Sequence, residues 1–169
     1  RIAHSHNTDN QINKGSLIKN YLYKVILDKA RKSIIKYGNL YLACSKEAGE
    51  WMFGKEAFVV INNGIDIKKY SYNFKMREKY RELFNIKDKI VIGHVGRLCY
   101  QKNQEFLIDI FNQLYKENQR YFLILVGDGE NKKFLESKIN KLGLSNEILI
   151  LDSKTNVSEI IHAFDIFVF

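Results

Sequence analysis

Gly96, Arg97 and Lys102 stand in the stretch "VIGHVGRLCYQKN", residues 91–103, where a strand-forming run meets a bare turn and two cations. The apolar run predicts a buried strand over 90–95, and helical spacing resumes near Asn103. Gly96 lets the backbone approach a ligand closely. Arg97 offers a planar fork for two phosphate oxygens, Lys102 a point charge, and the helix that follows its N-terminal amides. Together they suit a diphosphate. A second turn of this kind, "LVGDGE" at 125–130, carries Gly127, Asp128 and Gly129. It is not a dinucleotide fingerprint, since position 132 is Lys132 rather than glycine. It reads as a second wall of the same pocket.

His4 and His6, in "HSHN", are two apart at a strand end and face one side. With no third ligand nearby they predict no metal site; a cleft-facing, acceptor-side histidine that contacts substrate is the better reading, against a structural histidine as the plainer account. The sequence calls for no cofactor.

The elements that must position these residues alternate regularly. From residue 90, "KIVIGHV", "RYFLILVG", "EILIL" and "DIFVF" are strands apolar throughout, separated by helical segments. Such strands joined by helical crossovers predict a parallel sheet covered on both faces, the opening of a doubly wound domain. The same grammar runs less completely through strand 1–5, a long helix within 15–37, strand "LYLAC", helix 46–54 and strand "AFVVI". Turn residues at "NNGID" then interrupt it. The fold class is α/β, with an incomplete lobe over 1–62, a hinge and connecting helix over 63–89, and a second incomplete lobe over 90–169. Asn63 and Gly64 are the hinge candidates. Both chain ends fall inside predicted strands, so an internal fragment of a longer protein is expected.

Among the 169 residues, 46% are hydrophobic and the net charge is +8. Residues 1–89 hold 18 basic and 9 acidic residues, a balance of +9, whereas 90–169 hold 9 and 10, a balance of −1. A basic first half points to an anionic partner, against solvated lysines as the plainer account. In 15–37, Tyr23, Ile26, Leu27, Ala30, Ile34 and Tyr37 form one helical face with Arg31, Lys32 and Lys36 opposite. Leu17, Ile18, Tyr21, Leu22 and Val25 add apolar residues beside lysines, a pattern suited either to a lipid surface or to burial in the lobe. No apolar run approaches the ~20 residues that span a bilayer, and no signal peptide opens the chain. Cys44 and Cys99 are far apart and form no framework, which places the chain in a reducing, cytoplasmic compartment; peripheral inner-membrane contact through 15–37 is the alternative to burial of that helix in the lobe.

With these residues assembled, the chain resembles the retaining, nucleotide-sugar-dependent glycosyltransferases of family 4, which have the GT-B fold, and most closely bacterial members that build capsular or exopolysaccharide units. The resemblance rests on "RIAHSHNT", "ACSKEAGEWMFG", "VINNGIDIKKY", "VIGHVGRLCYQKNQEFLIDIF", "LILVGDGE" and "SEIIHAFDIFVF", in the family's order over nearly the whole chain. It implies two Rossmann-like lobes, the second holding a nucleoside-diphosphate sugar and the first a lipid-linked saccharide acceptor. Arg97 and Lys102 match the family's catalytic, diphosphate-binding pair. Gly96, Gly127, Asp128 and Gly129 match donor-site loops. Thr155, Asn156 and Val157 fall where the family's backbone contacts the nucleobase, although "LDSKTNV" lacks the usual glycine. The family's paired glutamates would follow Phe169 and its first glycine-rich loop would precede Arg1, so this chain alone is expected to be inactive. Alternatives are an epimerase or phosphorylase sharing the fold, or a non-enzymatic anion- or nucleic-acid-binding module. The last lacks a recognition helix or aromatic surface, and no nucleic-acid partner is expected.

Overall fold

The computed structural model describes residues 1–6, 17–153 and 156–169, and for 17–19 the backbone alone. The chain forms two compact units, Arg1–Ile65 and Asp66–Phe169.

In the first unit, β1 (Ile2–Ser5), β2 (Leu40–Ala43) and β3 (Val59–Val60) form a parallel sheet in that order. Helix α1 (Leu17–Tyr37) connects β1 to β2, and α2 (Lys46–Phe53) connects β2 to β3. Ser45 starts α2 because its hydroxyl accepts from Ala48 N at 3.1 Å, and Gly54, at φ 63°, ends it. The core is small: Ala43, Ala48 and Phe53 are buried, with Ile34, Tyr41 and Phe58 packed around them.

The packed face of α1 differs from the helical face expected for it. Leu27, Arg31 and Ile34 are half-buried, whereas Tyr23, Ile26, Ala30 and Tyr37 are exposed. Arg31 turns inward because its guanidinium stacks on Trp51, 3.9 Å from the ring centroid. Tyr21 and Leu22 are also exposed, so among the described residues a large part of this helix's apolar surface faces outward.

In the second unit, α3 (Ile67–Tyr70) and α4 (Phe74–Leu83) precede β4 (Ile90–Val95). A 3₁₀ turn at Tyr100–Lys102 leads into α5 (Gln104–Glu117), then β5 (Tyr121–Val126), α6 (Lys132–Leu142), β6 (Ile148–Leu151), α7 (Val157–Ile160) and β7 (Ile166–Val168). The helical run expected over "NVSEIIHAF" is one α turn that tightens into a 3₁₀ turn at Ile161–Ala163.

All pairings are parallel, in the order β6-β5-β4-β7. Side chains alternate across this sheet. Ile92, Leu123 and Leu125 pack with Ile108, Phe111, Leu135 and Ile139 on the α5–α6 face. Val91, Phe122, Ile124 and Val126 pack with Tyr80, Ile86, Ile160 and Ala163 on the α4–α7 face. Burial on both faces is why these strands read as continuous apolar runs.

Part of the basic character of residues 1–89 is spent inside this unit. Arg81, 5% exposed, donates to the carbonyls of Ala163, Lys87 and Lys89 and to Asp165. Arg77 donates to His162 O, Phe164 O and Asp165. Asp165 in turn accepts from Val91 N at 2.7 Å. Burial raises the Asp165 pKa, but Val91 N–H and the two guanidiniums outweigh it and hold the carboxyl below its ordinary value.

Candidate functional site

From β4 the chain winds outward through β5 to β6, then returns to place β7 on the other side of β4. The order reverses between β4 and β7, and the loop leaving β4 opens at that switch point on the carboxyl edge of the sheet. Open parallel sheets bind ligands there.

The loops after β4 and β5 are laced together beyond their strands. Gly96 N donates to Val126 O at 3.0 Å, Leu98 N to Asp128 O at 2.9 Å, and Asn131 N to Leu98 O at 3.0 Å. Both glycines of the second loop are required for this closeness. A Cβ on Gly127 would lie 1.9 Å from Gly96 O, and one on Gly129 2.3 Å from Leu98 O. Asp128 caps its own loop, accepting from Gly129 N at 2.8 Å. The rigid floor thus formed carries Gly96, Arg97, Lys102, Gly127, Asp128 and Gly129 together.

The two cations leave this floor differently. Lys102 folds back over Gly96, its Cε 3.7 Å from where a Gly96 Cβ would sit. Arg97 reaches across to Glu130, Nη2 to Oε2 at 3.1 Å, and both side chains are more than half exposed. An exposed pair of this kind contributes about 0–1 kcal/mol, so an incoming dianion can displace Glu130 at little cost. Asn103, at φ 50°, redirects the chain from the 3₁₀ turn into α5, whose N-terminus carries no side-chain cap.

His94 and Gln104, both absent from the sequence-derived site, lie directly beneath. His94 Nδ1 is 3.0 Å from Val168 O, and His94 Nε2 is 3.1 Å from Gln104 Nε2. Gln104 Nε2 also donates to Arg97 O at 2.8 Å. Burial lowers the His94 pKa, helped by the charge of Lys102 and opposed by the Val168 carbonyl, so the ring is neutral near pH 7. A histidine within the apolar run "VIGHV" was the available signal for this residue. Gln104 gave none, since a polar residue in a first helical turn is ordinary.

The loop after β6 emerges from the same edge, two strands from β4. Asn156 donates to Glu159 at 2.7 Å and accepts from Ser158 at 2.8 Å, which commits its side chain to the start of α7. Val157 packs against the α4–α7 core, and the Asn156 and Val157 carbonyls accept from Glu159, Ile160 and Ile161 N–H groups within α7 and the turn that follows. Thr155 lies outside the described residues. In the first unit, His4 and His6 are exposed at the end of β1 with ring centroids 4.1 Å apart. Asn63 and Gly64 are exposed in the irregular stretch after β3. Among the described residues no cluster of three potential metal ligands occurs, and no helix is long and apolar enough to cross a membrane.

Residues 76–169, more than half the chain, match the family described as glycosyl transferases group 1. The chain belongs to this family. It is 29% identical to the putative glycosyltransferase EpsF of Bacillus subtilis over 99% of its own length and 44% of that protein's. It is 28% identical to the capsular polysaccharide biosynthesis glycosyltransferase CapH of Staphylococcus aureus, over 100% and 45%. The Anabaena HepE structure in complex with UDP-glucose superposes with a TM-score of 0.78 at 26% identity, over 98% of this chain and 45% of HepE. The two units of this group 1 chain are accordingly Rossmann-like lobes of the GT-B fold. The chain spans a little under half the length of these relatives.

Proposed function

We propose that this chain is the donor-binding part of a retaining glycosyltransferase that moves a hexose from a UDP-sugar to a lipid-linked saccharide during capsule or exopolysaccharide assembly. The observation that carries the proposal is the Lys102 side chain folded over Gly96, beside Arg97, on the loop leaving β4 at the switch point. As the sugar–phosphate bond breaks, negative charge builds on the departing diphosphate. Cations fixed at that position stabilise the transition state more than the ground state. Gly127, Asp128 and Gly129 wall the site, and the backbone at Thr155, Asn156 and Val157 receives the base. His4 and His6 face the acceptor, and Asn63 and Gly64 form the hinge.

Supporting the choice of donor, the HepE relative is a complex with UDP-glucose. Supporting membrane contact, α1 exposes Tyr21, Leu22, Tyr23 and Ile26 beside exposed Lys24, Lys29 and Lys32. Apolar and cationic groups side by side fit an anionic lipid surface that presents the acceptor at the cytoplasmic face.

Calorimetric titration with UDP-glucose, UDP, GDP and ADP, at moderate salt and without metal, tests the donor site. Saturable binding of the uridine compounds, weakened at least tenfold in Lys102→Ala and in Arg97→Ala, is expected. Equal or absent binding of all four by folded protein contradicts the assignment.

A further inference from the structure

Gln104 is 1% and His94 2% exposed, yet both spend their polar groups just under the loop that carries Arg97. The geometry fixes every proton. His94 Nδ1 faces a carbonyl, Val168 O, so it bears the hydrogen and Nε2 is an acceptor. Gln104 Nε2 then fills that acceptor with one N–H and gives the other to Arg97 O. Gln104 Oε1 is left buried with no partner. A leucine or methionine at this first turn of α5 would fill the space without stranding an oxygen. The amide is therefore matched to what its nitrogen holds, not to the core around it.

We infer that Gln104 is a positioning residue: it fixes the Arg97 carbonyl, and with it the phosphate loop, and it does so only while His94 is neutral. The inference rests on the donor-site reading above. A protonated His94 would turn an N–H toward the Gln104 amide. The amide could satisfy it only by rotating to present Oε1, and that oxygen would then face Arg97 O, leaving the carbonyl without a donor. The charged group facing His94 is Lys102, from the 3₁₀ turn. Beyond it the ring meets the Val168 carbonyl of β7 and the Gln104 amide of α5, and on its own face β5 presents Leu123 and Leu125. Among the described residues no carboxylate hydrogen-bonds the ring to offset an added proton.

The direction of the pH effect separates two roles for His94. If His94 acted merely as a charge beneath the diphosphate, acid would tighten donor binding; if it sets Gln104, acid must weaken it. Affinity for UDP-glucose, a diphosphate diester that does not itself titrate near pH 6, should be measured from pH 8.0 to 5.5 for the wild type, Gln104→Met and Lys102→Ala. Wild-type affinity should fall severalfold toward pH 5.5. Gln104→Met should bind about tenfold more weakly at pH 8.0, the equivalent of about one neutral hydrogen bond, with a flat pH profile. Tightening in acid, or a Gln104→Met protein with wild-type affinity and profile, overturns the inference while leaving the donor site standing if Lys102→Ala still weakens binding at least tenfold. Folded wild-type protein that binds neither UDP-glucose nor any other nucleotide sugar overturns the donor-site reading and this inference with it. Should Gln104→Met not fold, ¹⁵N spectra of wild-type histidines decide: an Nε2–H tautomer at His94 refutes the network, and an Nδ1–H tautomer with acid-weakened binding supports it.

Discussion

Strands β4 and β7 are tied together at both ends, and the two ties are built on different terms. At the amino edge Asp165 accepts from Val91 N, Arg77 and Arg81, and Arg81 also satisfies three carbonyls. Every charge there is spent within the fold. At the carboxyl edge His94 holds Val168 O and Gln104 holds Arg97 O, but Gln104 Oε1 is stranded and Lys102 makes no ion pair among the described residues. Arg97 leans on a solvent-exposed glutamate. A cation that completes a buried network is architecture; one held over a bare turn with its charge unspent is available to a ligand.

The largest effect should come from cutting the closed end. Asp165→Ala leaves Arg81 charged, buried and short of a partner, and should cost about 3–5 kcal/mol in denaturant unfolding. Nucleotide affinity of the remaining folded protein should hardly change. Should affinity fall with Asp165→Ala as it does with Lys102→Ala, the division between the two ends is wrong.

At the open end the expectation reverses. In the full-length enzyme Lys102→Ala should lower sugar-transfer turnover roughly 10²-fold while moving unfolding free energy by no more than about 0.5 kcal/mol. An equal loss of stability would show that Lys102 belongs to the scaffold.

Gly127→Ala sharpens the boundary between these behaviours. Its Cβ would press on Gly96 O, forcing the two loops apart, so stability should drop by about 1–3 kcal/mol and donor affinity should fall with it. Gly64 faces open space, and Gly64→Ala should do neither.

The smallest effect is in acid, where the two ends should titrate in separate windows. Asp165 has a folded-state pKa below its unfolded value of about 3.9, so its stabilisation is complete above that pH and is lost as pH falls through the folded value. His94 is also depressed, so its contribution is complete above about pH 6.5 and declines as pH drops toward the folded value. Stability curves should therefore show a shallow loss below pH 6.5 and a second below pH 4. Asp165→Asn should shrink the second, to which Glu47 and Glu159 also contribute, and keep the first.

Much of this was legible in the chain itself. Apolar runs at 90–95, 121–126 and 148–151 separated by helical spacing determined a parallel, doubly covered sheet, because only strands buried on both faces dispense with alternation. The glycines and cations after the first two strands pointed to the carboxyl edge as the proposed donor site, because backbone approach and anion binding need those residue types in that order. Tertiary structure alone decided which polar residues act through others. Arg31, Arg77, Arg81, Asp165 and Gln104 look like surface residues in sequence, and their partners are set by how separate elements pack. Gln104 reaches His94 and Arg97 from the next helix, Arg81 reaches Asp165 from 84 residues away, and Arg31 reaches Trp51 from another element. Periodicity reports which face a residue is on. Whether a polar group on that face finds a partner, a ligand or nothing depends on what the fold brings opposite it.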